Sequence, residues 1–111
     1  MTVFQKKLIY EYTNTLVKEY SMSQNEMTAS YLKALGHPVR LMIARELING
    51  QKCVGEVENS LHIRQANASQ HLSILKINGI VDCIRKGNLK CYYLKEPKKI
   101  QQLLNILEHY Q

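Results

Sequence analysis

The sequence predicts a mainly α fold with a small β-hairpin, and three observations carry that prediction. Apolar residues recur at helical spacing along much of the chain, as in Phe4, Leu8, Tyr12, Leu16 and Tyr20. The stretch from Leu61 to Leu94 reads as a helix opening Arg64-Gln65-Ala66-Asn67-Ala68-Ser69-Gln70-His71-Leu72, a break at Asn78-Gly79, and two short strands around Lys86-Gly87-Asn88. The charge is also uneven. Residues 64–99 hold eight Lys/Arg against two Asp/Glu, a balance of +6 that equals the excess of the whole chain, whereas residues 1–63 hold seven bases against six acids. A short helix followed by a basic hairpin is the layout of a winged helix-turn-helix. A charge excess confined to those two pieces makes a surface for a polyanion, double-stranded DNA above all.

The elements follow in order. Phe4 to Tyr20 makes one stripe of an amphipathic helix, so residues 1–22 are expected to be an N-terminal helical extension. Ser23 and Glu26 form a capping-box pattern that starts a second helix running to about Leu35, where Gly36 is expected to stop it in a left-handed conformation. Pro38 suits the first turn of a third helix, which carries Val39, Leu41, Met42, Ile43, Leu47 and Ile48 and ends at Asn49-Gly50. Apolar on most sides, it should be central. A short helix from about Gly55 to Leu61 precedes the Gln65 helix and the hairpin. A last helix, 97–111, carries Ile100, Leu103, Leu104 and Leu107.

At 111 residues the chain is expected to be a single domain, 1–111, with a modest core. Its two terminal stripes either pack on that core or pair with a second copy. The reading adopted is the homodimer, with Leu104 at its interface and residues 97–111 as the dimerisation helix. No apolar run reaches the length of a membrane span, and Met1 to Lys7 lacks the apolar core of a secretory signal, so a cytoplasmic protein is expected. The three cysteines are odd in number and show no Cys-x-x-Cys spacing, which argues against a disulfide framework.

Placing residues 100° apart around the Gln65 helix gathers Ala68, Leu72 and Leu75 in one arc, the core side. The opposite arc collects Ala66, Ser69, Gln70 and Ser73, small or amide-bearing side chains without formal charge. Such a face enters a major groove, where Gln pairs both edges of adenine and Ser bonds several bases. Gln65 and Asn67 lie in the first turn, the part of a recognition helix that meets base edges. Arg64 just before it, and Arg85, Lys86, Asn88 and Lys90 at the hairpin tip, supply contacts to the phosphate backbone or a minor groove. The competing class is a winged-helix protein-interaction module without specific DNA binding, which predicts a neutral or apolar surface in place of this +6. An enzyme is not expected. Glu56 and Glu58 share one short segment and His62 and His71 are separated by a turn, with no nucleophile–base set or phosphate loop.

These residues resemble the ArsR/SmtB family of bacterial winged-helix repressors. Leu32-Lys33-Ala34-Leu35-Gly36-His37-Pro38-Val39-Arg40-Leu41 is similar to that family's opening motif. Ser69-Gln70-His71-Leu72 with Leu75, Gly79 and Ile80 is similar to its recognition helix, and Cys91-Tyr92-Tyr93-Leu94 to its outgoing wing strand. The resemblance implies a homodimer that represses an operon from a palindromic operator and leaves DNA when an inducer, often a metal ion, binds. Two positions depart from the pattern. His62 stands where the family usually has Gly, and Arg64 where it has a Ser cap.

The family's known sensing sites do not carry over. Its arsenic sensors have Cys-Val-Cys where this chain has Cys53-Val54-Gly55, and its zinc sensors need more ligands than Glu108 and His109 provide. Its persulfide-forming sensors use cysteines on the central and last helices, and this chain has none on either. Cys83 and Cys91 instead fall on the two wing strands and Cys53 on a candidate third strand. They are either buried small hydrophobes or a thiol sensor of oxidant or soft metal, the one cofactor left open. A three-residue loop would pair Cys83 with Cys91. A two-residue loop at Gly87-Asn88 would pair Cys83 with Tyr92 and send the two thiols to opposite faces.

Overall fold

The structure is a computed structural model that describes residues 23–109. The Phe4–Tyr20 stripe and the 1–22 extension lie outside the described residues, as do the last two positions of the 97–111 helix. The chain divides into two units, Met1–Ser30 and Tyr31–Gln111. Helix α1 (Gln24–Leu35) begins in the first of them on a reciprocal capping box. Glu26 N donates to Ser23 Oγ at 3.1 Å and Ser23 N to Glu26 Oε1 at 3.0 Å, which satisfies two end donors that helix geometry leaves open.

Within the second unit α1 ends at Gly36, though not in the left-handed conformation expected, because Gly36 has no positive φ. Its N–H bonds the Leu32 carbonyl at 2.8 Å, and a Cβ there would stand 3.2 Å from that oxygen. Close approach, and not backbone sign, explains the glycine. Helix α2 (Pro38–Ile48) starts at an extended His37 whose Nδ1 accepts from Val39 N at 3.0 Å, with Pro38 in the first turn. Ile43, Ala44 and Leu47 are buried, and α2 is central as expected. It packs on the short helix α3 (Val54–Leu61), on α4 (Gln65–Ile77), on the outgoing wing strand and on the last helix, α5 (Pro97–His109).

The sheet has three strands, one more than the hairpin alone. β1 (Lys52–Cys53), β2 (Val81–Lys86) and β3 (Leu89–Leu94) lie antiparallel in the order β1-β3-β2. The loop is Gly87-Asn88, and only Gly87 takes positive φ, +65°. That is the Gly-first two-residue turn whose twist matches paired strands. It sets the register Cys83↔Tyr92 and Ile84↔Cys91, while β1 adds Cys53↔Cys91.

The α5 stripe does not serve a partner as a whole. Ile100 and Leu104 are buried in the domain's own core, and Leu103 is half-buried against it. Leu104 is therefore corrected from interface to core residue, because it lies on the face of α5 turned toward α2. An Arg45–Glu108 ion pair and Lys99 Nζ, 4.5 Å from the Tyr31 ring centre, hold that face down. Ile106 and Leu107, 58% and 53% exposed, are what α5 leaves uncovered.

Candidate nucleic-acid interface

The turn into α4 is built from two features the sequence flagged. His62 sits at φ 56°, ψ 46°, so the left-handed position survives without glycine, and Ile63 N–H reaches back to the Glu58 carbonyl at 3.2 Å. Arg64 occupies the N-cap of α4 with extended φ and ψ and makes no side-chain cap bond. The first-turn N–H groups are thus left to solvent or to an anion, and the Arg64 cation adds to the positive helix end.

Around α4 the core arc is closed. Ala68, Leu72 and Leu75 have no exposed surface. Gln65, Ala66, Asn67, Gln70 and Ser73 are exposed, while Ser69 is half-buried. At its far end Gly79 N bonds the Lys76 carbonyl and Ile80 N the Leu75 carbonyl, both at 3.0 Å, and the chain turns directly into β2. The helix is therefore clamped at both ends with an uncharged polar face outward.

The wing brings four of the expected cation and amide positions together at one tip, where Arg85, Lys86, Asn88 and Lys90 are all exposed. Pairing divides them. Arg85 stands opposite Lys90, and Lys86 opposite Leu89, on alternate faces of the hairpin. Ile84 and Leu89 share the Lys86 face and are 39% and 57% exposed, an apolar component that composition alone did not point to.

One positioning contact was not anticipated. Arg40 donates through Nε to the Ala34 carbonyl, and its Nη1 lies 3.2 Å from His71 Nδ1, so one guanidinium ties the α1–α2 joint to α4. The His37 and His71 rings stand 4.6 Å apart. Burial, then the neighbouring His37 and Arg40, hold the His71 imidazole below its ordinary value of 6.5. Above that value His71 is neutral in both folded and unfolded chains. Below it the unfolded chain takes up a proton that the folded one resists, so stability should fall as pH drops through 6.5. Melting points measured from about pH 7.5 to about pH 5 check this, and His71→Gln should flatten the slope. Equal slopes in the two proteins would remove His71 from the account.

The thiols sort differently from the Cys83–Cys91 pair that a longer loop would give. Cys91 is fully buried and bonded to Cys53 by a disulfide, while Cys83 remains a half-buried free thiol. The two-residue loop puts Cys83 on the core face and Cys91 on the other, and β1 delivers Cys53 opposite Cys91. A disulfide is thus present despite the odd count, because register and not sequence spacing pairs the sulfurs. Among the described residues no group of three or more His, Cys, Asp or Glu side chains gathers to hold a metal ion. No described helix is long and apolar enough to cross a membrane.

Comparison with known proteins agrees with this geometry. Residues 37–82 match the family described as bacterial regulatory protein, arsR family. The chain is 40% identical over 79 residues to the biofilm growth-associated repressor of Xylella fastidiosa, spanning 71% of this chain and 68% of that one. Among solved structures it is similar to HlyU from Vibrio cholerae, with TM-score 0.69 and 31% identity over 78% of this chain and 98% of that one. It shares its fold with the homodimeric winged helix-turn-helix DNA-binding domain from Mycobacterium bovis, with TM-score 0.70 and 23% identity over 82% of this chain and 95% of that one. With α4 clamped face-outward beside a cationic wing, and with relatives of this identity and coverage, the chain belongs to the arsR family of bacterial regulatory proteins and is a winged-helix transcriptional regulator.

Proposed function

We propose that the protein is a cytoplasmic homodimeric repressor that lays α4 of each copy into a major groove of a palindromic operator. The observation that carries this reading is the division of α4. Three residues with no exposure anchor it, and an uncharged face of Gln65, Asn67, Gln70 and Ser73 points outward, with Ser69 at its margin. Amide and hydroxyl side chains read base edges, and Arg64 with the wing's Arg85, Lys86, Asn88 and Lys90 grips the backbone without reading it. Support for two copies comes from the exposed Ile106 and Leu107 on α5, and from the homodimeric state of the Mycobacterium bovis domain.

Two sets of variants test this. Lys86→Ala with Lys90→Ala should weaken binding to operator and to unrelated DNA alike, and lower the salt slope by about two, one for each phosphate no longer neutralised. Gln70→Ala should instead erode discrimination between them by about 1–3 kcal/mol if its amide pairs a base. Equal losses on both DNAs for Gln70→Ala would defeat the base-reading role. If neither set moves DNA binding, the protein-interaction module takes its place.

A further inference from the structure

The bond between Cys53 and Cys91 joins residues 38 apart in sequence. Between them lie α3, the His62 turn, α4 and β2, which is the DNA-reading segment from its first helix to the wing tip. The bond therefore closes that segment on itself. One end is the N-cap of α3, where Cys53 N donates to Glu56 Oε1 at 2.8 Å. The other is the return strand of the wing. Apart from the bond, β1 pairs with β3 at two positions only, one of them the cysteine pair itself. Pairing of that length is too weak to hold a strand unaided. Val81, Tyr92 and Leu94 hold the base of the wing in the core, so what the sulfurs decide is whether β1 and the start of α3 stay tied to the return strand as a third strand of the sheet.

Access to the pair is one-sided. Cys91 is 0% exposed, Cys53 is half-buried, and Cys83 is kept out by the pleat on the opposite face. We propose that Cys53 and Cys91 form a reversible dithiol–disulfide site, reached by peroxides through Cys53, whose oxidised form holds the wing in its DNA-binding position. Peroxide transfers one oxygen to the Cys53 thiolate, giving a sulfenic acid and releasing the other oxygen as water. Cys91 then attacks that sulfur. The S–S bond forms, the S–O bond breaks and a second water leaves, so the two electrons lost by the thiols have reduced the peroxide. A small dithiol reverses the change by two exchanges and ends as its own disulfide. In a reducing cytoplasm such a bond is transient and serves sensing more than scaffolding. The effect on DNA rests on the proposed reading of α4 and the wing.

Hydrogen peroxide and dithiothreitol are the probes, with a duplex selected by the protein from a random-sequence library. Peroxide should lower the titratable thiols from three to one, and digestion should yield a Cys53–Cys91 linked peptide. Reduction should lower the melting point by roughly 10 °C or more, since a closed loop of this length is opened. It should also speed dissociation from the duplex roughly tenfold, because the return strand loses its tie to the start of α3 and the wing tip is less well preorganised. Cys53→Ser should abolish both responses, Cys91→Ala likewise, and Cys83→Ser should keep them. A wild-type melting point that ignores reduction, or a Cys53→Ser protein that still responds, overturns the site. A melting shift with unchanged dissociation overturns the switch and leaves the DNA reading intact. No binding to any selected duplex in either redox state overturns the DNA reading, and the switch with it.

Discussion

Carrying both Ile106→Glu and Leu107→Glu, the protein should sediment as a monomer at micromolar concentration and keep its fold. These side chains are 58% and 53% exposed in the single chain, so replacing them removes little from its own core. In a dimer they would be covered, and two unpaired carboxylates in an apolar interface are costly enough to part it. The consequence for DNA should be larger than any single contact explains. Two linked copies bind two half-sites with the second event nearly intramolecular, and losing that link should cost about 10²–10⁴-fold in operator affinity. A dimer of undiminished stability in this variant would move the interface elsewhere. Leu104→Glu is the instructive contrast, because it should unfold the domain by placing a charge among core residues.

The second large effect is expected at Leu72→Ala. Leu72 has no exposed surface and sits between Ala68 and Leu75 against the core, so the truncation leaves a cavity that neighbouring helices close only in part. A loss of about 2–5 kcal/mol follows from that chemistry. For a domain of this size it corresponds to a melting point lower by about 10 °C or more. Gln70, two positions away and exposed, should behave in the opposite way, since Gln70→Ala should leave the stability within about 0.5 kcal/mol of the parent. Calorimetry of the two variants side by side decides this. A Leu72→Ala protein as stable as the parent would mean that the α4 anchor is misplaced.

The α4 arcs were legible because periodicity alone fixes which side chains share a face of a helix. The ends of the helices were legible too. Ser23 with Glu26, Pro38, and Asn78-Gly79 each solve a local hydrogen-bonding problem that sequence spacing exposes. What failed were questions that local spacing does not pose. Gly36 is fixed by a carbonyl four residues back and not by its own φ. Leu104 and Leu107 lie on one stripe of a helical projection, yet only the depth of packing against α2 separates core residue from surface residue. The thiol pairing turned on a single residue of loop length, which reverses every side chain of a strand. The Arg40–His71 contact joins positions 31 apart and left no periodic trace.

The clamped geometry of α4 has a consequence for how such a protein could be re-addressed. Its anchor is three residues, Ala68, Leu72 and Leu75, and its ends are held by His62–Ile63 on one side and Gly79–Ile80 on the other. None of those positions is among Gln65, Ala66, Asn67, Gln70 and Ser73. The five outward positions therefore form an exchangeable cassette, which can be randomised together while the packing that aims the helix stays fixed. Because the cations stand at the cap and on the wing, changing the cassette should, on the proposed reading of α4, alter the sequence recognised and leave the grip on the phosphates untouched.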